Sequence, residues 1–501
     1  DVYENQELPI AASDVDCILL THAHIDHSGL IPLMYVNGFR GQVYSTSATA
    51  QLCEIMLRDS AHIQMFEAEW RNRKAARSGG KLKEFVPLYD MDAAVNVCKQ
   101  FVGCEYDRVY DIAEGIKIRF TDVGHLLGSA SIEVWATEKT ENGDVTEKIV
   151  FSGDIGNINK PIIKDPKHVR DADYVVMEST YGNRSHGGTP NYVEDLTDIF
   201  KRTFERGGNV VIPSFAVGRT QELLYIIRKI KEDNLVGRDF DVYMDSPLAI
   251  EATNIFIKNV ESCFDDEAVE LVGKGINPLS FPGLKYATTG DESKQINFDP
   301  NPKVIISSSG MCEAGRIRHH LKHNLWRPEC TIVFVGYQAV GTTGRIIVDG
   351  AEEIKLFGEP IQIKAEIVQL KGSSGHADKD GLLCWINAFD TKPKKVFVVH
   401  GEDSVCDEFT ECLKEEYGYD AMAPYTGGSY DLIADRVISE GVKERKTRRT
   451  TSTQRGKTVF DRLVAAGKRL MTVITHNEGG TNKDLAKFTD QINALCDKWD
   501  R

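Results

Sequence analysis

The chain has 501 residues, 41% hydrophobic and 27% charged, which is typical of a soluble protein with two or three globular domains. Its net charge of -15 argues against a protein that coats nucleic acid without specificity, although a local basic groove is compatible with an acidic whole. The eleven cysteines form no C-x-x-C pair, which argues against a disulfide framework or a cysteine zinc site and indicates a cytoplasmic protein. We expect neither a signal peptide nor a membrane span.

Along the chain, apolar runs typical of strands are each followed by a polar turn and often by a helical segment. This alternation predicts an α/β fold. In such sheets, ligands bind beyond the carboxyl ends of the strands, so we expect these turns to line one shared cleft. The runs are "CILLTHAHIDH", "IKIRFTDVGH", "KIVFSGDIG", "YVVMESTYG", "NVVIPSFAVGRTQ", "KVIISSSGMCEAGR", "EIVQLKGSSGHAD" and "KVFVVHGE".

The first of these turns contains four side chains that commonly bind metals. His22 and His24 alternate at a strand end, and Asp26 and His27 begin the turn into a helix predicted over 28–38. The two pairs suit two metal ions about 3.5–4 Å apart, as in two-metal hydrolases. Nitrogen and carboxylate ligands favour zinc, with manganese or iron as substitutes. A polar loop with hydrogen-bonded histidines is the alternative, which four such residues in six positions disfavour.

Further ligands lie at the ends of later strands, as His125, Asp154 and His400. Each has a plain alternative: Asp154 could cap a turn and His400 could be a buried, hydrogen-bonded histidine. Their shared position favours a metal site, with a hydroxide between two zinc ions as the nucleophile. We assign His22, His24 and His125 to the first zinc and Asp26, His27 and His400 to the second, with Asp154 bridging.

The ordered motifs resemble a known family. H-x-H-x-D-H, followed by single His and Asp motifs, resembles the motif set of the metallo-β-lactamase fold. The motifs "MESTYG", "SSGHAD" and "VVHGE" resemble motifs A, B and C of its β-CASP nuclease branch, through Glu178, His376 and His400. "SSSGMCEAGRIRHHL" and "GYQAVGTTGR" are similar to the subgroup with the endonuclease subunit of the cleavage and polyadenylation factor and its bacterial and archaeal relatives. The resemblance covers residues 15 to 430 and implies single-stranded RNA bound between two domains.

The resemblance also implies a domain organisation. A metallo-β-lactamase αββα sandwich over 1–190 and 371–430 is interrupted by an α/β β-CASP domain over 191–370, and 431–501 holds a basic linker and a helical extension. Members of the family have a strand pair and an aspartate before H-x-H-x-D-H, but 21 residues precede His22 here. We therefore expect a sheet that lacks edge strands, in a chain that is either part of a longer product or impaired.

Three residues are predicted to be catalytic. His376 would protonate the leaving oxygen, and Glu178 would orient its imidazole and raise its pKa. Asp26, assigned above to the second zinc, is counted with them. Weaker signals come from glycine-rich turns that could approach a phosphate, a common feature of strand-to-helix turns. The predicted substrate-binding residues are His186, Arg219, Ser309, Gly310 and Arg316. His319, His320 and His323 are interpreted as a partly exposed helix face.

The predicted function is a zinc-dependent endoribonuclease, with 5′ exonuclease activity as a further mode. A DNA-processing β-CASP nuclease is disfavoured by His400, because DNA-acting members carry an apolar residue there. A hydrolase of small molecules is disfavoured by the large inserted domain, and a metal-free interaction subunit by the intact ligand set. Two amphipathic helices near "TVFDRLVAAGKRLMTVI" and "NKDLAKFTDQINALCDKW" predict a packed C-terminal cap or a homodimer contact.

Overall fold

A computed structural model describes residues 8–77, 85–141, 143–187, 191–370, 374–443, 459–478 and 481–499. Its first part begins with a 3-10 turn over Ala12–Asp14. The strands of this part are β1 Cys17–Leu19, β2 Gln42–Thr46, β3 Phe101–Cys104, β4 Val109–Ala113, β5 Ile116–Asp122, β6 Ala130–Thr140, β7 Gly143–Phe151 and β8 Tyr174–Glu178. Its helices are α1 Ile25–Ser28, α2 Ile31–Val36, α3 Ser47–Arg77 and α4 Met91–Cys98.

The middle part alternates strands and helices. Its strands are β9 Val210–Pro213, β10 Asp241–Asp245, β11 Leu284–Tyr286, β12 Lys303–Ser307, β13 Thr331–Phe334, β14 Glu353–Leu356, β15 Glu359–Gln362 and β16 Glu366–Gln369. Its helices are α5 Tyr192–Glu205, α6 Arg219–Glu232, α7 Pro247–Lys258, α8 Val260–Cys263, α9 Asp266–Gly273, α10 Gly290–Phe298, α11 Ile317–Asn324 and α12 Thr343–Val348.

The last part begins at residue 374. Its elements are α13 Lys379–Ile386, β17 Lys395–Val399, α14 Asp403–Glu415, β18 Ala421–Met422, β19 Ser429–Asp431, β20 Arg436–Ser439, α15 Val459–His476 and α16 Asn482–Trp499. The basic linker predicted after residue 430 lies mostly outside the described residues, which resume at residue 459. No described helix is both long enough and apolar enough to cross a membrane.

Two sheets of the first part set up the cleft. In one, the described strands are ordered β1-β2-β3 with parallel pairing, so β1 lies at its edge. In the other, the order is β18-β17-β8-β7-β6-β5-β4. Strand β17 pairs in parallel with β8, and Val399 lies opposite Glu178. The chain therefore rejoins its first domain after the insertion, which brings His400 next to the residues that follow β8.

The insertion is built on a parallel sheet with the order β11-β10-β12-β9-β13-β16. Every residue of β9, β12 and β13 is buried. Helices cover both faces of such a sheet, which explains why these strands read as unbroken apolar runs. The α/β fold class with an inserted second sheet is confirmed, whereas the domain boundaries stay predictions.

Two local expectations need correction. The helix predicted over 28–38 is the shorter α2, Ile31–Val36, because Pro32 fits the first turn of a helix but cannot continue one from α1, which ends at Ser28. The two C-terminal helices form as predicted, but apolar side chains such as Leu463 and Met471 are exposed. Helix α15 contacts the Ala12–Asp14 turn, and its Arg469 side chain lies close to Gly38, so this helix packs on the start of the described chain.

Candidate metal centre

The first predicted ligand group converges on one point. His22 and His24 follow β1, and His125 follows β5. His24 Nδ1 lies 3.1 Å from His22 Nε2 and 3.2 Å from His125 Nε2. In a tetrahedral zinc site with bonds of about 2.0–2.1 Å, neighbouring ligand nitrogens lie about 3.3 Å apart. The three rings thus have the spacing that one zinc ion requires.

The protonation of these histidines also suits metal binding. Burial lowers the pKa of His22, lowers that of His24 to about 3, and lowers that of His125 well below its usual value. His125 Nδ1 donates to the Gly375 carbonyl at 3.2 Å, and His22 Nδ1 lies 3.1 Å from Thr21 Oγ1, which it can donate to. These outer contacts leave the Nε2 lone pairs of both rings facing the centre.

The second group joins two distant segments of the chain. Asp26 and His27 lie on α1, and His400 follows β17. His27 Nε2 lies 3.1 Å from His400 Nε2, and Asp26 Oδ2 lies 3.7 Å and 3.6 Å from these two atoms. Burial lowers the pKa of His400, but the hydrogen bond to Asp26 and the charge of Asp154 outweigh it and raise the pKa to about 9.

Asp154 lies between the two groups. Its Oδ2 is 3.3 Å from His22 Nε2 and 3.6 Å from His125 Nε2, whereas its Oδ1 is 3.2 Å from His27 Nε2. The side chain is 2% exposed, and Oδ1 accepts no hydrogen bond from the described residues. A buried carboxylate oxygen without such a bond is costly unless a cation neutralises it. Two metal ions sharing this carboxylate would fit the donor set.

His376 and Glu178 form a pair beside the cluster. His376 Nδ1 donates to the Glu178 carboxylate, with distances of 3.1 and 3.2 Å to its two oxygens. Glu178 is 1% exposed and also accepts from the backbone N–H groups of Ile155 at 2.6 Å and Thr180 at 3.2 Å. Burial lowers the pKa of His376, but the Glu178 charge outweighs it, so the pKa is raised. His376 Nε2 faces Asp154 Oδ2 at 3.9 Å.

Motif matching missed three neighbours of this centre. Thr180 Oγ1 lies 3.2 Å from His400 Nδ1 and donates to the His400 carbonyl at 3.2 Å. Lys160 Nζ donates to the His125 carbonyl at 2.8 Å and pairs with Glu222 at 3.3 Å. The Tyr181 ring lies 6.2 Å from that of His376. Thr180 and Tyr181 lie in the "MESTYG" motif, in which the resemblance implies a role for Glu178 alone, whereas no motif includes Lys160.

The predicted substrate-binding residues fall into two places. His186 and Arg219 line a cavity of about 410 Å³ next to Ser374, and His186 Nε2 donates to the His376 carbonyl at 3.1 Å. Arg219 pairs with Glu222 at 2.6 Å. Ser309 and Gly310 instead follow β12 of the inserted sheet. Their roles stay predictions.

The histidine-rich helix α11 differs from its interpretation at one residue. His320 is fully buried, and its Nε2 lies 2.6 Å from Asp245 Oδ2. Asp245 also accepts from Arg316 at 2.7 Å, and Arg316 donates to two backbone carbonyls, of Ala287 and Thr288. The interpretation as a partly exposed face holds for His319 and His323, which are exposed, but not for His320, because β10 supplies a carboxylate beneath the helix that the helical spacing alone does not reveal. The predicted phosphate contact of Arg316 stays a prediction. Both terminal nitrogens of its guanidinium already donate to Asp245 or to the two carbonyls.

Comparison with known proteins gives independent evidence on the family of this chain. The model of the Beta-Casp domain matches residues 220–347, and that of the Zn-dependent metallo-hydrolase RNA specificity domain matches residues 360–424. A ribonuclease of Thermus thermophilus is 34% identical over 390 residues, covering 78% of this chain and 82% of the relative. The RNase J-like protein of Methanocaldococcus jannaschii is 31% identical, covering 77% of this chain and 82% of the relative.

A third relative is longer than the matched region. The transcription termination factor FttA of Methanosarcina mazei is 32% identical over 421 residues, which cover 82% of this chain but 62% of FttA. The chain thus spans about three fifths of FttA, and about four fifths of the Thermus ribonuclease.

Proposed function

Because this chain belongs to the β-CASP family of metallo-β-lactamase-fold RNA hydrolases, we propose that it is a zinc-dependent phosphodiesterase that cleaves single-stranded RNA internally, with cleavage from the 5′ end as a further mode. Metal dependence follows from the family. The use of two zinc ions is supported by one observation above all, the two ligand groups joined by Asp154. The relatives named as a ribonuclease and as RNase J-like support RNA as the substrate.

Bound zinc would be held by His22, His24 and His125 on one side and by Asp26, His27 and His400 on the other, with Asp154 shared. When bound, the two ions lower the pKa of a water molecule and neutralise charge on the phosphate oxygens. The chain itself fixes the ring orientations, since Thr21, Gly375 and Thr180 each contact the outer nitrogen of one histidine.

The leaving oxygen needs a proton, because an alkoxide is a poor leaving group. Glu178 keeps the Nδ1 proton of His376 in place, so Nε2–H is the proton that faces the cluster. The raised pKa of His376 favours the imidazolium, which can donate that proton to the 3′ oxygen as the bond breaks. The products are then a 5′ phosphate and a 3′ hydroxyl.

Matched substrates test this function. The zinc-loaded chain is incubated with a linear single-stranded RNA, a DNA of the same sequence and a circular single-stranded RNA. We expect cleavage of both RNAs and little cleavage of the DNA, since a circle has no end and is opened only by internal attack. Prior chelation of zinc should abolish both reactions. Cleavage of DNA at the RNA rate, or an uncut circle beside a degraded linear RNA, would contradict the proposal.

We further propose that the protein is cytoplasmic and forms a homodimer. The exposed apolar side chains of α15 and α16, such as Leu463 and Leu495, support a contact between copies, because burying them on a partner would be favourable. Light scattering on the full chain measures its molar mass and so tests the homodimer directly. Replacing both leucines by glutamate should give the monomer mass, and an unchanged mass would place the contact elsewhere or show that the chain is a monomer throughout.

A further inference from the structure

Two exposed aromatic rings follow neighbouring strands of the inserted sheet. Phe215, 44% exposed, follows β9, and Tyr337, 50% exposed, follows β13, which pairs with β9. On its other side, β9 pairs with β12, which leads to Gly310. Adjacent strands lie about 4.8 Å apart, and all three are parallel, so the three turns are neighbours at the carboxyl edge of the sheet. This is the edge at which open α/β sheets bind their ligands.

The backbone beneath these rings is well fixed. The Phe215 carbonyl accepts from Thr220 N at 3.3 Å and from Thr220 Oγ1 at 2.7 Å. The Phe215 ring lies against Gly310, where a β-carbon would come within 3.1 Å of the ring. Gln338, which follows Tyr337 and is 3% exposed, donates to the Gly310 carbonyl at 3.1 Å. We call Phe215, Gly310 and Tyr337 the aromatic platform.

The turn that carries Phe215 packs against the loop that carries His125. The turn that carries Phe215 continues to Gly218, where a β-carbon would lie 3.0 Å from the Leu126 side chain. Leu126 directly follows His125, a member of the first ligand group. The turn that carries Phe215 and the first ligand group are thus neighbours, so an RNA strand with a phosphate at the metal centre would pass close to this turn.

We propose that the aromatic platform stacks bases of the RNA strand next to the cleaved phosphate and thereby selects unpaired strands with intact bases. The inference rests on the proposed ribonuclease function. Any base offers a flat π surface, so stacking on aromatic side chains recognises single strands without reading their sequence. A duplex keeps its bases stacked on one another, and an abasic sugar has nothing to stack.

The test measures binding and not only cleavage. In a His376→Ala background, which keeps cleavage slow, fluorescence anisotropy gives the Kd for a single-stranded RNA and for the same RNA with abasic sites around the cleavage position. Phe215→Ala and Tyr337→Ala should each weaken binding of the intact RNA about 5- to 150-fold. Neither should affect binding of the abasic RNA, and Tyr337→Phe should bind like the unsubstituted chain.

A matched control comes from the opposite edge of the same sheet. Phe298 ends α10 before β12 begins and is 71% exposed, so Phe298→Ala removes an even more exposed ring at the amino edge and should leave the Kd unchanged. A second readout is the fluorescence of 2-aminopurine in the RNA, which stacking on Phe215 should quench.

The outcomes separate the two proposals. If the parent chain cuts RNA but Phe215→Ala and Tyr337→Ala bind intact and abasic RNA as the parent does, the aromatic platform is refuted and the ribonuclease function stands. If the zinc-loaded parent chain neither binds nor cuts RNA, the proposed function itself fails.

Discussion

Replacing His376 by alanine should slow RNA cleavage by about 10²–10⁴-fold, the usual contribution of a positioned general acid, and should leave both zinc ions bound. His376 Nε2 is 3.9 Å from the nearest Asp154 oxygen, and its Nδ1 is committed to Glu178. The ring therefore lies outside the two ligand groups that Asp154 joins. It is close enough to reach an oxygen of a bound phosphate.

His400→Ala provides the contrast. His400 Nε2 lies 3.1 Å from His27 Nε2, and its loss leaves the second metal with Asp26, His27 and the shared Asp154. Removing even an outer-sphere partner typically costs 10- to 100-fold in metal affinity, so removing this ligand should cost about 100-fold or more. The His400 variant should thus lose metal and activity together, whereas the His376 variant should lose activity alone.

Leaving-group chemistry gives the sharper assay. With sulfur at the 3′ bridging position, the leaving group is a thiolate, which departs without a proton. The His376→Ala enzyme should recover much of its lost rate on this substrate, and the His400→Ala enzyme should not. Glu178→Gln keeps a hydrogen-bond acceptor for His376 but removes the charge that raises its pKa. The pKa of His376 should therefore fall, so that less of the enzyme carries the imidazolium above neutrality and the cleavage rate there is reduced.

Either of two results would refute this reasoning. Loss of zinc from His376→Ala would show that His376 is a ligand, together with Glu178 and Asp154, which also lie close enough to hold an ion. Absence of recovery with the sulfur substrate would show that His376 does not protonate the leaving oxygen.

Three further predictions follow from the same centre and its surroundings. The chain purified without chelator should carry about two zinc ions by elemental analysis and Asp154→Asn markedly fewer; no zinc in the unsubstituted chain would exclude the two-metal site. Zinc binding should displace the proton of His400, whose pKa of about 9 in the metal-free protein reflects Asp26 and Asp154 outweighing burial. Calorimetry at pH 7.5 in two buffers should therefore detect about one more released proton for the parent chain than for His400→Ala. Burial raises the pKa of Asp122 to about 6, so the folded state binds a proton more tightly than the unfolded state, and the stability from this group is lost as the pH rises through about 6. Asp122→Asn should be more stable than the parent at pH 8 by about 2–3 kcal/mol and nearly equal at pH 4; equal urea midpoints at pH 8 would contradict this.

The clustering of the predicted metal ligands could be anticipated from the sequence because their positions follow from a simple rule. His22, His125, Asp154 and His400 each come within a few residues of the end of an apolar strand, and strand ends are where an α/β sheet collects polar groups. The pairing of Val399 with Glu178 then brings the late histidine to the early motif. Such a register follows from the whole fold and is not visible in either segment alone.

The parts that failed depend on contacts across the fold. The spacing of α11 identifies one face of a helix, but only the position of β10 determines that His320 is buried on Asp245. Lys160 has no motif around it, and its contact with the His125 carbonyl exists because the loop after β7 passes beneath that histidine. Tertiary contacts of this kind leave no local signal in the chain.

The second ligand group links metal binding to the assembly of the fold. Asp26 and His27 precede the inserted sheet and His400 follows it, so their three side chains meet only when β17 is paired with β8. A ligand that binds only the folded state stabilises it by mass action. Zinc at this position should therefore stabilise the folded state, in which the returning segment, including His376, lies against the first domain. The general acid and the second metal would then be assembled by the same folding event, so a chain that has not completed its fold would lack both at once.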